Sequence, residues 1–331
     1  MAQRTSKQSA NEAIRFANQM ITGTWSIDRA LAVKFGQPEF RSQVLSILLD
    51  RLQKGSLKQK RNAAAALGSL SEYLSRTEKA RVVRSLVDAL KSEDYTLKIN
   101  AIYSLGQLGD RSVVSYLVPY LRRDDVSTEM RQTAIDAITM MKATEAIPDL
   151  LAFIQRYSSR SQTVKAAEFP AVIRALGQLG AARAVPLLIS YVKSPASSIR
   201  AASMRALGRI GDRRAIKPLS EYLYSSRSSS KWMEREVAVE ALGRFKGPDV
   251  DHSLLVVVNQ DAHPRVRIAA GKILMSRDPP PRLLDVSFKT ILSYPYSDIQ
   301  IRSEELIEFL QESIQALRER KTKATPKKTR S

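Results

Sequence analysis

The chain has 331 residues, 44% hydrophobic and 6% aromatic, with 53 Lys and Arg against 33 Asp and Glu for a net charge of +20. It holds no cysteine and two histidines, which excludes disulfides and thiolate chemistry within the chain and leaves little for histidine-based metal or acid–base sites. No apolar run approaches the ~18 residues of a membrane span, the opening MAQRTSKQSANEA has no apolar signal stretch, and the basic surplus suits an acidic partner, so the composition fits a cytoplasmic protein with no metal and no cofactor.

In chain order, residues 1–10 read as a mobile polar arm, and residues 11–39 as an N-terminal helical cap. The cap holds two predicted helices, 11–21 and 26–35, broken at Gly23 and Thr24, with Ser26 placed to cap the second. Its role would be to cover the first repeat of a stack, since stacked repeats need closed ends.

The stretch 199–212 (IRAASMRALGRIGD) returns as 97–110 (LKINAIYSLGQLGD) and 168–181 (EFPAVIRALGQLGA), and residues 40–278 are built from such units. With Gly208 as reference, equivalent positions are Gly68, Gly106, Thr139, Gly177, Gly243 and Met275, at intervals of 31 to 38 residues. A period of that length means stacked repeats. One residue before each reference stand Leu67, Leu105, Ile138, Leu176, Leu207, Leu242 and Leu274. Two and five before, small residues dominate, as in Ala66, Ala137, Ala206, Ala63, Ala101 and Ala134; two after come Leu70, Leu108, Met141, Leu179, Ile210 and Phe245. Offsets −5, −2, −1 and +2 share one face of an α-helix, so this face is the predicted core, and its alanines leave room for close helix neighbours.

A second amphipathic helix precedes each of these, at 146–154, 184–192 and 215–222, with Pro148, Pro186 and Pro218 near its start, where a missing N–H costs little. The glycines, Gly208 among them, are expected singly at helix ends as C-caps, and Asp110 and Asp212 follow them and suit caps of the next helix. The unit is thus helix A, turn, helix B. Ser-rich connections, 157–162 and 224–231, join A to B in two units and read as surface loops. Pro279, Pro280 and Pro281 end the pattern; 279–317 is the predicted C-terminal cap, with helices at 283–292 and 299–317. Residues 318–331 read as a disordered basic tail bearing Lys321, Lys323, Lys327, Lys328 and Arg330.

The recurring R-x-x-A-x-x-A-L-G-x-L/I-G-D and A-x-P-x-L pattern, carried best by Arg200, Ala206, Leu207, Gly208, Ile210, Gly211 and Asp212, resembles the HEAT repeat, in the subfamily named for phycobilisome lyases. The resemblance implies an all-α fold, a right-handed α-solenoid of stacked antiparallel helix pairs. For function it implies less, because the subfamily extends over bilin lyases, nucleic-acid enzymes and adaptors.

Two sets of basic residues stand out. Lys60, Lys98, Arg131, Arg200, Arg235 and Arg267 fall eight before the reference, in the first turn of helix B, where the helix dipole disfavours a cation. A structural role is expected for them, through carbonyls ending helix A or loop acids such as Asp94, Asp125 and Asp261. Offsets −3 and +1 point away from the core face. There the last four units carry Arg174, Arg205, Arg209, Arg244 and Lys272 against the single acid Glu240, a candidate binding ridge on the inner wall of B helices. Asp136, read as lying among uncharged neighbours, and Tyr103 are the one acid–aromatic pair resembling a HEAT-like DNA glycosylase site.

With no catalytic constellation visible, the expected function is a non-enzymatic scaffold that engages an acidic protein through this ridge and the tail. Nucleic acid bound through phosphates is the alternative, and a bilin lyase-like or glycosylase-like role stands further off.

Overall fold

The computed structural model describes residues 2–23, 33–157, 162–225, 229–278, 280, 284–293 and 304–324. Among them every regular element is helical, and no helix is long and apolar enough to cross a membrane. The chain divides between Ala175 and Leu176 into two compact units.

The first unit contains α1 (Ala2–Thr22), α2 (Pro38–Lys54), α3 (Leu57–Ser69), α4 (Arg76–Ala89), α5 (Tyr95–Leu108), the short α6 (Val114–Leu117) and α7 (Pro119–Arg122), α8 (Thr128–Met140) and α9 (Ile147–Tyr157). It also holds most of α10 (Gln162–Gln178), which runs straight through Pro170. The B helices α3, α5 and α8 pack in succession, and α1 packs on α2 and α3. In the second unit come α11 (Val185–Tyr191), α12 (Ser197–Ile210), α13 (Ile216–Ser225), α14 (Trp232–Gly243), α15 (Pro248–Gln260), α16 (Pro264–Met275), α17 (Leu284–Ser293) and α18 (Glu304–Ala324). Here α12, α14 and α16 are successive B helices, and α18 packs on α16.

The core follows the periodicity. All seven side chains at offset −1 are fully buried, and so are Ala63, Ala101, Ala134, Ser203, Ala238 and Ala270 at −5. Burying one such leucine stabilises by roughly 1.5–3 kcal/mol. Helix A opens with a 3-10 turn at Thr144–Ala146, Ala182–Ala184 and Arg213–Ala215. The carboxylates of Asp110 and Asp212 cap such turns, accepting from the backbone N–H of Ser112 and Arg214 at 3.0 Å.

The structure departs from expectation in three places. Residues read as a polar arm belong to α1, which begins at Ala2. The basic tail begins later than residue 318, because α18 continues to Ala324 and includes Lys321 and Lys323. The reference glycines do not all end helices: Gly106, Gly177 and Gly208 are buried inside α5, α10 and α12. The helix-ending residue is the second glycine, Gly109 or Gly211, in the left-handed conformation at φ 72° and 75°. Residues 24–32, which include 26–32 of the predicted second cap helix, residues 158–161 and 226–228 of the Ser-rich connections, and residues 279, 281–283, 294–303 and 325–331 lie outside the described residues.

Candidate functional site

The cations at the start of helix B are joined to carboxylates one repeat further on. Arg200 of α12 donates from Nε and Nη2 to Glu234 of α14, both at 2.7 Å, and from Nη1 to the carbonyls of Ser194 and Pro195 at 2.7 and 2.8 Å. Arg131 of α8 meets buried Glu168 of α10 and donates to the Arg123 carbonyl at 2.8 Å. Fully buried Arg235 donates to Asp261 at 2.8 and 3.0 Å, and Arg267 donates to the Asp261 carbonyl at 2.6 Å. Lys60 and Lys98 make no ion pair within 4 Å among the described residues; in the first of these units Arg61 takes over, with Nε 2.8 Å from Asp94.

Burial by itself raises the Glu234 carboxyl. The hydrogen bonds donated by Arg200, Tyr222 and Ser197 outweigh that and hold it at about 2. These arginines are therefore occupied inside the protein. Glu168 and Glu234 were not anticipated from sequence. The signal was present: each stands nine before its reference glycine, one residue ahead of the basic position.

The ridge cations are placed differently. Arg174, Arg205, Arg209, Arg244 and Lys272 are all exposed. Arg174 lies in the first unit, its guanidinium 3.8 Å from the carboxylate of Asp136, which accepts a hydrogen bond from the Gln132 amide at 3.1 Å. Asp136 is therefore not among uncharged neighbours: the Arg174 guanidinium stands beside it and the Gln132 amide donates to it.

In the second unit Arg205, Arg209, Arg244 and Lys272 form no ion pair within 4 Å among the described residues. Arg205 and Arg209 lie one turn apart on α12, and Arg244 follows α14. They rim a groove of about 450 Å³ whose other lining residues are Glu240, Ala241, Gly243 and Ile273.

Beyond Lys272 the wall changes sign. A second groove of about 660 Å³ between α14, α16 and α18 is lined by Glu236, Glu240, Glu305, Glu308 and Glu312, with Arg265 and Lys272 its cations. The basic run is thus bordered by acids on the side of Lys272. The acids at 305, 308 and 312 sit on one face of α18 by spacing alone, a pattern masked by the apolar face used to identify that helix. Of the tail cations, Lys321 and Lys323 fall within α18, while Lys327, Lys328 and Arg330 lie outside the described residues.

Similarity to known proteins decides the family. A sequence model of HEAT repeats matches residues 45–128, 83–168 and 170–230. The chain belongs to the HEAT-repeat family. This HEAT-repeat protein is 29% identical over 171 residues to the phycocyanobilin lyase subunit alpha of Nostoc sp. (strain PCC 7120), across 47% of this chain and 59% of that one. It is 32% identical over 143 residues to the protein of the same name from Picosynechococcus sp. (strain ATCC 27264), across 39% of this chain and 52% of that one. The chain thus spans between half and two-thirds of the length of these relatives. Among solved structures, importin beta is 14% identical with a TM-score of 0.57, over 93% of this chain and 49% of that one, a likeness that shows the helical-repeat fold.

These relatives overturn the non-enzymatic reading. Both are named as lyase subunits, which points to lyase activity where the residues had suggested a plain scaffold.

Proposed function

We propose that this HEAT-repeat protein is a lyase-type subunit that handles an open-chain tetrapyrrole and delivers it to a cysteine of another protein. The observation that carries the reading is the pair of relatives, which share a stated activity on phycocyanobilin. The sequence adds a constraint of its own. With no cysteine in the chain, it cannot form a thioether with the pigment, so the thiol belongs to an acceptor. In such a step the acceptor's sulfur bonds to one carbon of an exocyclic double bond of the tetrapyrrole. The thiol proton goes to the adjoining carbon; nothing leaves, and no oxidant is consumed. This chain's part is to bind and orient.

A subunit works beside a second protein, and the net charge of +20 supports an acidic protein partner. The test is direct. The purified chain, alone and with proteins recovered with it after nuclease treatment, is mixed with phycocyanobilin and a cysteine-bearing acceptor. Pigment that stays on the acceptor through denaturing electrophoresis supports the reading. If no mixture containing the chain exceeds the uncatalysed rate, the reading is wrong.

A further inference from the structure

We propose that the arginine-rimmed groove between α12 and α14 is the seat for the two propionate carboxylates of the tetrapyrrole. The proposal rests on the lyase-subunit reading and assigns it a substrate subsite.

The groove is built by a close helix contact. Gly208 faces Ala241 so tightly that a Cβ on the glycine would stand 2.8 Å from the Ala241 Cα. That approach brings α12 and α14 together along the wall. Arg209 and Arg244, both one residue past their reference glycines, then flank the same groove, with Arg205 one turn behind Arg209. Ala241, Gly243 and Ile273 give the groove an apolar stretch of lining, suited to the edge of a conjugated ring. The volume of about 450 Å³ falls within the ordinary range of small-molecule sites.

The charge pattern points to a ligand. Elsewhere in this unit Arg200, Arg213, Arg214, Arg235 and Arg277 all pair with carboxylates. Three guanidiniums around one groove with only Glu240 beside them repel one another, and an anion relieves that. Guanidinium forks match carboxylates in bidentate geometry.

The length of the positive run selects the anion. A nucleic-acid strand needs cations that continue along the wall, but here the next groove is lined by Glu236, Glu305, Glu308 and Glu312. A compact dianion fits a short run of cations. An open-chain tetrapyrrole carries two propionates on adjacent rings, which places two carboxylates on one small molecule.

The test titrates the chain with biliverdin and with biliverdin dimethyl ester, following pigment absorbance, for the natural sequence and for Arg209→Gln and Arg244→Gln. The expected result is binding of the free acid, roughly tenfold weaker binding of the ester, and a similar loss for the free acid in each variant. Ester affinity should be the same in all three proteins, and so should their melting temperatures. Equal binding of acid and ester to the natural sequence would remove the groove as the carboxylate site and leave the lyase reading standing. Binding of neither pigment would overturn both.

Discussion

Arg200 and Glu234, 34 residues apart in sequence, are joined by two hydrogen bonds of 2.7 Å that tie one repeat to the next. Each is mostly shielded from solvent, with side-chain exposures of 13% and 11%. Arg200→Ala leaves the Glu234 carboxylate without its cation. The expected cost lies between the limits for exposed and fully buried pairs, about 2 kcal/mol, seen as a lower melting temperature. Unchanged melting together with lost pigment binding would instead make Arg200 a ligand-binding residue.

The same pair gives a pH dependence of definite sign. Folding lowers the Glu234 carboxyl from its ordinary 4.5 to about 2. The stability this supplies is fully present above about pH 4.5 and is lost as the pH falls toward about 2. Chemical unfolding at pH 7 and pH 3 should therefore separate the natural sequence from Glu234→Gln by less at the lower pH. A gap that stays constant would show that this carboxylate does not govern the acid limb.

Gly208→Ala tests the close approach between repeats. Its new Cβ would meet the Cα, Cβ and carbonyl oxygen of Ala241 at 2.8 to 3.0 Å, so α12 and α14 must shift. The expected loss is about 1–3 kcal/mol, the range for overpacking. Ala241→Gly removes only one of the atoms in the way, so it should restore part of the loss. Gly211→Ala is the comparison: its added Cβ meets nothing within 4 Å, but φ is 75°, so only backbone strain of roughly 1–2 kcal/mol is expected, with no coupling to Ala241. Full additivity of Gly208→Ala and Ala241→Gly would show that the two helices do not meet as described.

Ser203 offers a gain. It occupies the −5 position, where alanine is the rule; it is fully buried, and its hydroxyl has no hydrogen-bond partner among the described residues. Ser203→Ala removes that unmet polar atom while conserving shape, and should raise stability by about 1 kcal/mol, read from urea unfolding. A loss of stability would mean that the hydroxyl is satisfied by water in solution.

Much of this protein follows from its sequence alone. A helix presents the same offsets to the same side in every repeat, so a period of 31 to 38 residues and the run of leucines and alanines identify the buried face. Offsets −3 and +1 fall on the opposite side for the same reason, and Arg205, Arg209, Arg244 and Lys272 are exposed there.

What periodicity within a helix does not contain is the register between helices. That register makes Gly208 a contact point against Ala241 and leaves the cap to Gly211. It brings Glu234 to Arg200 and Glu168 to Arg131, pairs 34 and 37 residues apart. It also sets α18 against α16, so that Glu305, Glu308 and Glu312 end the basic run next to Lys272. Each of these depends on where two separately predictable helices touch, and only the packed structure determines that.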